Sequence, residues 1–347
     1  MTRTLRRAGA HARAVAAITA ALAVLAAGCA AGEGAGGGSP GRPAAMELSL
    51  DWTANPDHVA LYYAQEKGLF RQAGLTVRMR APSDPSAPIK LVGLRKVDLA
   101  ISYEPDVFFA AEKGLPVVAV AAVVPVPLNS LIALPEAGIS APASLKGRKV
   151  GITGIPGDGA ILRTLERSGG LRPGEIKPVS VGYNLVTSLL SGKVDAILGG
   201  YRNVEGIQIA QQTGRQPVIL PVDRLGVPRY DELVLVANAA RLRADAAYAD
   251  SVRRFVAAMS KGASAARADR SGAIAVMAKS TTYPARFLRA SVPATLDLLA
   301  PPDGRQVGCL DMAAWRAYGA WMHRTGLLRR PVDAGTAATT SYLPHAC

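Results

Sequence analysis

Three scarcities frame this 347-residue chain: it carries only three cysteines, four scattered histidines and an aromatic content of 5%. No CxxC pair and no Cys/His cluster is present, which excludes the usual ligand spacings of a structural zinc site, and no metal is expected. The formal net charge is +14, yet with ten Tyr and five Phe there is no basic block interleaved with aromatics of the kind that grips nucleic acid. Nucleic acid is therefore not expected as a partner. The basic excess reads as solubility or as attraction to an anionic envelope surface.

What the chain does have begins at its start. A basic segment is followed by a charge-free apolar run at 14–27, shorter than the ~20 residues of a membrane-spanning helix and suited to the centre of an export signal. The run ends in Leu25-Ala26-Ala27-Gly28-Cys29, which resembles a bacterial lipobox. Residues 1–28 are expected to be a lipoprotein signal peptide, Cys29 the lipidated first residue of the mature protein, and the Gly-rich stretch 29–45 a flexible tether. The alternative is an ordinary cleaved signal with an incidental cysteine. A lipid anchor would hold the protein at the extracytoplasmic face of the cell membrane, in the periplasm where the envelope is double. Residues 1–28 contain four arginines and no acid, so their removal lowers the formal net charge from +14 to +10. Once Cys29 carries lipid, Cys309 and Cys347 remain as an even pair outside the cytoplasm, where a disulfide persists.

The mature length exceeds what one core usually serves and predicts two domains. Strands are expected at 47–50, 75–79, 99–102, 117–123, 131–134, 149–152, 176–181, 196–198, 217–220 and 233–237. Helical patterns lie between them at 58–67, 89–94, 160–168, 185–191 and 204–212. Strand, helix and strand in series predict parallel sheets with helices on both faces. After Ala239 alanine-rich helices take over, notably at 248–266 and 312–325.

One phrase is written twice: KVDLAISYEPD from Lys96 and KVDAILGGYRNVE from Lys193. In each copy a helix ends, a Lys-Val-Asp turn follows, an apolar strand runs inward, and a tyrosine, Tyr103 or Tyr201, stands at the strand's carboxyl end. Open parallel sheets present their ligand sites at that end. Two copies on two sheets place the tyrosines on facing lips of one cleft. The Lys-Val-Asp part by itself is ordinary α/β grammar; the polar residues after each strand are not.

The segment LSLDWTANPDHVALYYAQEKGLFRQAGLTV, from Leu48, carries a more specific pattern. Leu50, Asp51, Trp52, Asn55, His58, Leu61, Tyr62, Ala64, Lys67, Gly68, Phe70, Gly74 and Leu75 resemble the opening of periplasmic substrate-binding proteins in the branch that binds thiamine pyrimidine precursors (SsuA/THI5-like). The likeness continues through Ile101-Ser102-Tyr103, the run SLKGRKVG from Ser144, Gly192-Lys193-Val194-Asp195 and the final Ser341-Tyr342-Leu343-Pro344. It implies a type II periplasmic binding protein fold, α/β in class, in which two lobes joined by two crossings close on a ligand in the cleft between them. Lobe 1 would comprise 46–134 and the return 233–347, and lobe 2 would comprise 135–232. The implied function is the extracytoplasmic solute-binding component of an ABC importer. It would be a monomer that takes a hydroxymethylpyrimidine or formylaminopyrimidine type of ligand and delivers it to a transporter permease.

Riboflavin or another small solute is the alternative ligand. A eukaryotic pyrimidine synthase on the same fold is the enzymatic alternative, and the resemblance to it lapses where catalysis would lie. Its pyridoxal-phosphate lysine is matched here by Ser102, its reactive histidine by Asp106, and its cysteine-rich run by LGVPRYDE at 225–232. Without the amine no Schiff base forms, so the chain is expected to be no enzyme and to need no cofactor.

Trp52, in the turn TANPD, is expected to stack on a planar heterocycle with Tyr103 or Tyr201 on its other side; the alternative for each is core packing. Asn55 and His58 are expected at the ligand or as caps of the following helix. In GGYRNVEG, Glu205 is expected to accept from an exocyclic amine and Asn203 to complete the ligand edge, whereas Glu205 as a helix-start acid is the bland alternative. The loop Gly154-Ile155-Pro156-Gly157-Asp158-Gly159 lacks the Lys-Ser/Thr ending of a P-loop. Gly154, Asp158 and Glu104 are expected to line the cleft and to favour a neutral or amine-bearing ligand over an oxyanion.

Overall fold

The computed structural model describes residues 43–301 and 303–347. Cys29, the expected signal and residues 29–42 of the expected tether lie outside them. Chain order begins with β1 (Ala44–Ser49), α1 (Val59–Glu66), α2 (Leu69–Gln72), β2 (Leu75–Arg80), α3 (Pro88–Gly93), β3 (Leu99–Ser102), α4 (Glu104–Glu112) and β4 (Val117–Val124). It continues with β5 (Asn129–Ala133), β6 (Lys149–Ile152), α5 (Pro156–Ser168), β7 (Lys177–Ser180), α6 (Leu185–Leu190), β8 (Ala196–Tyr201), α7 (Glu205–Thr213) and β9 (Val218–Pro221). The return comprises β10 (Leu233–Asn238) and the helices α8 (Ala239–Ala244), α9 (Ala246–Ala268), α10 (Arg270–Ser280), α11 (Ala285–Leu298), α12 (Met312–Arg324) and α13 (Ala334–Ala337).

The strands form two five-stranded sheets, ordered β2-β1-β3-β10-β4 and β7-β6-β8-β5-β9. Neither is wholly parallel, which departs from the expectation. In the first, β10 runs antiparallel to β3 and β4; in the second, β5 runs antiparallel to β8 and β9. Both reversed strands directly follow a crossing, and the reason is geometric. A chain leaving one sheet at its carboxyl edge enters the other from that same cleft side, so its first strand must run backwards. The first crossing also falls earlier than Leu134. β5 pairs wholly within the second sheet, so the chain has already crossed between Val124 and Asn129. Ala44 and Ala45, assigned to the tether by composition, pair with Leu75 and Thr76 in the first sheet.

The repeated Lys-Val-Asp has a structural duty at the edge remote from the cleft. Asp98 Oδ2 accepts the Glu47 amide at 2.8 Å, and Asp195 Oδ2 accepts the Lys149 amide at 2.7 Å. Each aspartate amide in turn donates to the carbonyl of the same residue, at 3.0 and 2.8 Å. One carboxylate per sheet thus ties two neighbouring parallel strands in register. The apolar face of the first sheet packs Leu48, Ile101 and Leu235 against Phe255 and Val256 of α9. Gly262 lets α9 lie against α1, because a β-carbon there would stand 2.7 Å from the Ala60 carbonyl oxygen. Cys309 and Cys347 are joined as a disulfide with Cα atoms 5.6 Å apart.

Candidate functional site

A cavity lies where the carboxyl ends of both sheets meet, lined by Asp51, Trp52, Asn55, Tyr103, Asn129, Thr153, Ile155, Gly199, Tyr201, Val204, Glu205 and Glu232. It encloses about 20 Å³ of free space, little more than a single water needs. The lobes are drawn together over it, and admission of a ring requires them to part. Among the contacts that hold them, the Tyr183 hydroxyl donates to the Pro82 carbonyl at 2.9 Å, Asn203 Nδ2 donates to Asp57 Oδ1 at 2.6 Å, and the rings of Trp52 and Tyr183 meet edge-on with centroids 4.4 Å apart.

On the first-lobe wall Asp51 is fully engaged. His58 Nε2 meets Asp51 Oδ1 at 2.8 Å, and the Tyr103 hydroxyl donates to Oδ2 at 3.0 Å. The Asn55 amide donates to His58 Nδ1 at 3.2 Å, so that nitrogen carries no proton and the ring donates to Asp51 from Nε2. Asn55 Oδ1 accepts from the Asp57 amide at 2.8 Å, capping the 3-10 turn Pro56–His58. Asn55 thus caps the turn and also lines the cavity. His58 stands behind Asp51 and fixes it. Burial, reinforced by the Asp51 charge, pushes the Tyr103 phenol well above its ordinary pKa, so it remains a donor.

The second-lobe wall holds the polar groups that face the cavity with capacity to spare. Glu205 Oε2 accepts the Tyr201 amide at 2.8 Å, while burial raises the Glu205 carboxyl to about 7 against the pull of backbone hydrogen bonds. Asn129 Oδ1 accepts the Gly199 amide at 3.0 Å, which leaves its two N–H groups directed elsewhere. Gly199 has φ +93°, and a β-carbon there would come within 2.7 Å of Thr153 Cγ2. Only glycine lets this strand end lie so close to the neighbouring loop.

Glu232 ties the two crossings together at the floor. Its Oε2 accepts the Leu128 and Asn129 amides at 2.7 and 2.8 Å and the Tyr230 hydroxyl at 3.0 Å, while Oε1 accepts the Tyr201 hydroxyl at 3.3 Å. Burial raises its pKa and these donors oppose the rise.

Of the residues singled out by sequence, Trp52, Asn55, Tyr103, Tyr201 and Glu205 line the cavity. The others do not. Asn203 turns away, bridging Asp57 and Thr295 with Nδ2 at 2.6 and 2.8 Å. Gly154 donates its amide to Asp158 Oδ2 at 2.7 Å, and Thr153 Oγ1 donates to the same oxygen at 2.8 Å, so the Gly154 loop is closed on its own acid. Glu104 Oε2 accepts the Asp231 amide at 2.7 Å and lines a separate cavity with Arg229, Arg305 and Trp315. The ring in edge contact with Trp52 is Tyr183, while Tyr103 and Tyr201 line the same cavity with their hydroxyls donated to Asp51 and Glu232. Asn129, Glu232 and Tyr183 escaped sequence reasoning. Asn129 was within reach of it: a strand that enters from the cleft side presents its first residue there, not its last.

Residues 55–273 match the family described as NMT1/THI5 like. The formylaminopyrimidine-binding protein of Halalkalibacterium halodurans is 42% identical over 195 residues, which cover 56% of this chain and 59% of that one. A 4-amino-5-hydroxymethyl-2-methylpyrimidine phosphate synthase of Aspergillus parasiticus is 29% identical over 223 residues, covering 61% of this chain and 63% of that one. The chain thus matches about three fifths of the length of these curated relatives. Among solved structures, the alkanesulfonate-binding protein SsuA of Xanthomonas axonopodis pv. citri, bound to MOPS, superposes with TM-score 0.65 over 86% of this chain and 99% of that one, at 17% identity. The fold is that of the periplasmic binding proteins.

Proposed function

Because this chain belongs to the NMT1/THI5-like family, we propose that it is the extracytoplasmic solute-binding component of an ABC importer and that its ligand is a thiamine pyrimidine precursor of the hydroxymethylpyrimidine or formylaminopyrimidine type. The observation that carries the reading is the juxtaposition in one cavity of the Trp52 ring with the Glu205 carboxyl and the Asn129 amide, one from the first lobe and two from the second. An aminopyrimidine presents two flat faces and an edge with an exocyclic amine beside a ring nitrogen. Trp52 suits a face. Glu205 suits the amine as acceptor, and with its pKa near neutrality it also shares a proton with the ring nitrogen. Asn129, rather than Asn203, stands where it can complete the ligand edge. The formylaminopyrimidine-binding relative supports the same ligand class.

The protein acts by binding without turnover. Ser102, buried at 3% exposure, offers a hydroxyl where imine chemistry needs an amine. The order of events is opening at the crossings, docking of the ring against Trp52, and closure that brings Glu205 and Asn129 onto its edge. Transport follows from presentation of the closed form to a permease, and Cys29 supplies the lipid anchor. Calorimetric titration with hydroxymethylpyrimidine, its formylamino analogue, thiamine and riboflavin tests the ligand. Saturable heat with the pyrimidines is expected, and tight flavin binding with no pyrimidine heat would overturn the choice.

A further inference from the structure

Two acids outside the ligand cavity stand at helix starts that meet from opposite lobes. Asp106 stands in the first turn of α4 in the first lobe, and Asp158 in the first turn of α5 in the second. The two helix starts touch: a β-carbon on Gly157 would lie 3.3 Å from Asp106 Oδ1 and 3.6 Å from Pro105 Cγ. Asp106 is 3% exposed and Asp158 1%. Each keeps one buried oxygen, Oδ1, without a hydrogen-bond partner. The donors Thr153 and Gly154 are spent on the other oxygen of Asp158. Charged carboxylates with unpaired oxygens are costly to bury, and two of like sign are worse.

We propose that lobe closure is proton-linked through Asp106 and Asp158, which must shed charge for the two helix starts to meet. The inference rests on the cleft being the ligand site that opens and closes, and it adds the condition under which closing is favoured.

Closed, Asp106 is raised to about 8, chiefly by burial and then by the charge of Asp158, against the pull of the Gly157 amide at the facing helix start, and burial raises Asp158 to about 6 against its hydrogen bonds. Glu232 on the second crossing adds to the rise at Asp106, and Lys113 at the end of α4 opposes it. Tyr103 before α4 and Tyr318 on α12 also feel the Asp106 charge. When the lobes part, water reaches both carboxyls and their affinity for protons returns toward that of ordinary aspartates, ~4. The closed form then binds more protons than the open one. Its advantage is present in full below the open-state pKa and is lost as pH rises through 6 and then 8. Each proton taken up shifts the closing equilibrium by up to about tenfold per pH unit in that window.

The test needs no ligand. Small-angle X-ray scattering of the mature chain from pH 5 to 9 should show a compact form at the acid end and a larger radius of gyration by the alkaline end, with thermal melting confirming that the lobes remain folded. In the Asp106→Asn, Asp158→Asn double variant the expansion should move up by about one pH unit or more, because neutral amides cannot acquire charge. Asp57 and Glu205 also lie on the seam and keep their own titration in that variant, so the shift isolates the pair. A radius that does not change with pH in the folded wild type would overturn the proposal, and so would a double variant that expands along the wild-type curve. Failure of the pyrimidines to bind, with the pH-dependent expansion intact, would remove the ligand reading and leave proton-linked closure standing.

Discussion

Asn203 reaches from the second lobe to Asp57 in the first, donating from Nδ2 to Oδ1 at 2.6 Å, with both residues buried. The same nitrogen donates to Thr295 of α11 at 2.8 Å. Burial holds the Asp57 carboxyl well above its ordinary pKa, and the Asn203 bond works against that rise. Asn203→Leu removes the donor and leaves a buried polar group unpaired, which costs about 1–3 kcal/mol. The expected outcome is a ten- to hundredfold weaker affinity for a pyrimidine by calorimetry, with nearly unchanged far-ultraviolet dichroism. Wild-type affinity in this variant would show that the contact is not part of the closed, binding form.

Glu205→Gln exchanges an acceptor for a donor facing the ligand amine and removes the group raised to about 7. We predict at least a tenfold loss of aminopyrimidine affinity and little change for riboflavin. The sign of the pH effect follows from the raised value. The folded carboxyl holds its proton up to near neutrality, so the stability it contributes is present below about 4.5 and lost as pH rises through 7. Chemical denaturation at pH 5 and pH 8 should therefore differ less in Glu205→Gln than in the wild type.

The Cys309–Cys347 bridge closes a loop of sequence separation 38. In the chain-entropy view that is worth at most about 4 kcal/mol. Reduction should lower the melting temperature, and intact mass before and after alkylation should count two thiols released only by reductant. Two alkylated cysteines in the unreduced protein would refute the bridge.

Cys29→Ser tests the proposed lipid anchor, since a serine hydroxyl cannot form the thioether. The variant is expected in the soluble fraction after a high-salt wash, and its retention on membranes would place the anchor elsewhere.

All ten strands were legible from apolar runs and turn residues, each within a few positions of its observed bounds. Local sequence fixes where a strand lies, whereas its direction is set by where the chain enters the sheet. That is why β5 and β10 emerged antiparallel. The cavity was half legible for a related reason. Trp52 and Glu205 stand at strand ends and are found by that rule, but the rule cannot tell which neighbour a polar side chain will choose. Asn203 found Asp57 and Thr295, and Glu104 found the Asp231 amide. Tyr183 was illegible because its partners are 101 positions away at Pro82 and on the other lobe at Trp52.

Tyr183 therefore separates closure from stacking. Its hydroxyl latches onto Pro82 while its ring braces Trp52 edge-on at an interplanar angle of 72°. Tyr183→Phe removes the latch and keeps the brace, so a loss of about 0.5–1.5 kcal/mol, some two- to tenfold in affinity, is expected. Tyr183→Ala removes both and frees the indole to turn; the loss should reach the level of Trp52→Ala, about 1–3 kcal/mol. The two alanine losses should not add in the double variant, since either one spoils the same wall. Titration of the wild type and these four variants with one pyrimidine decides the matter. Full additivity would mean that Tyr183 acts on closure alone and that Trp52 holds its ligand face without support.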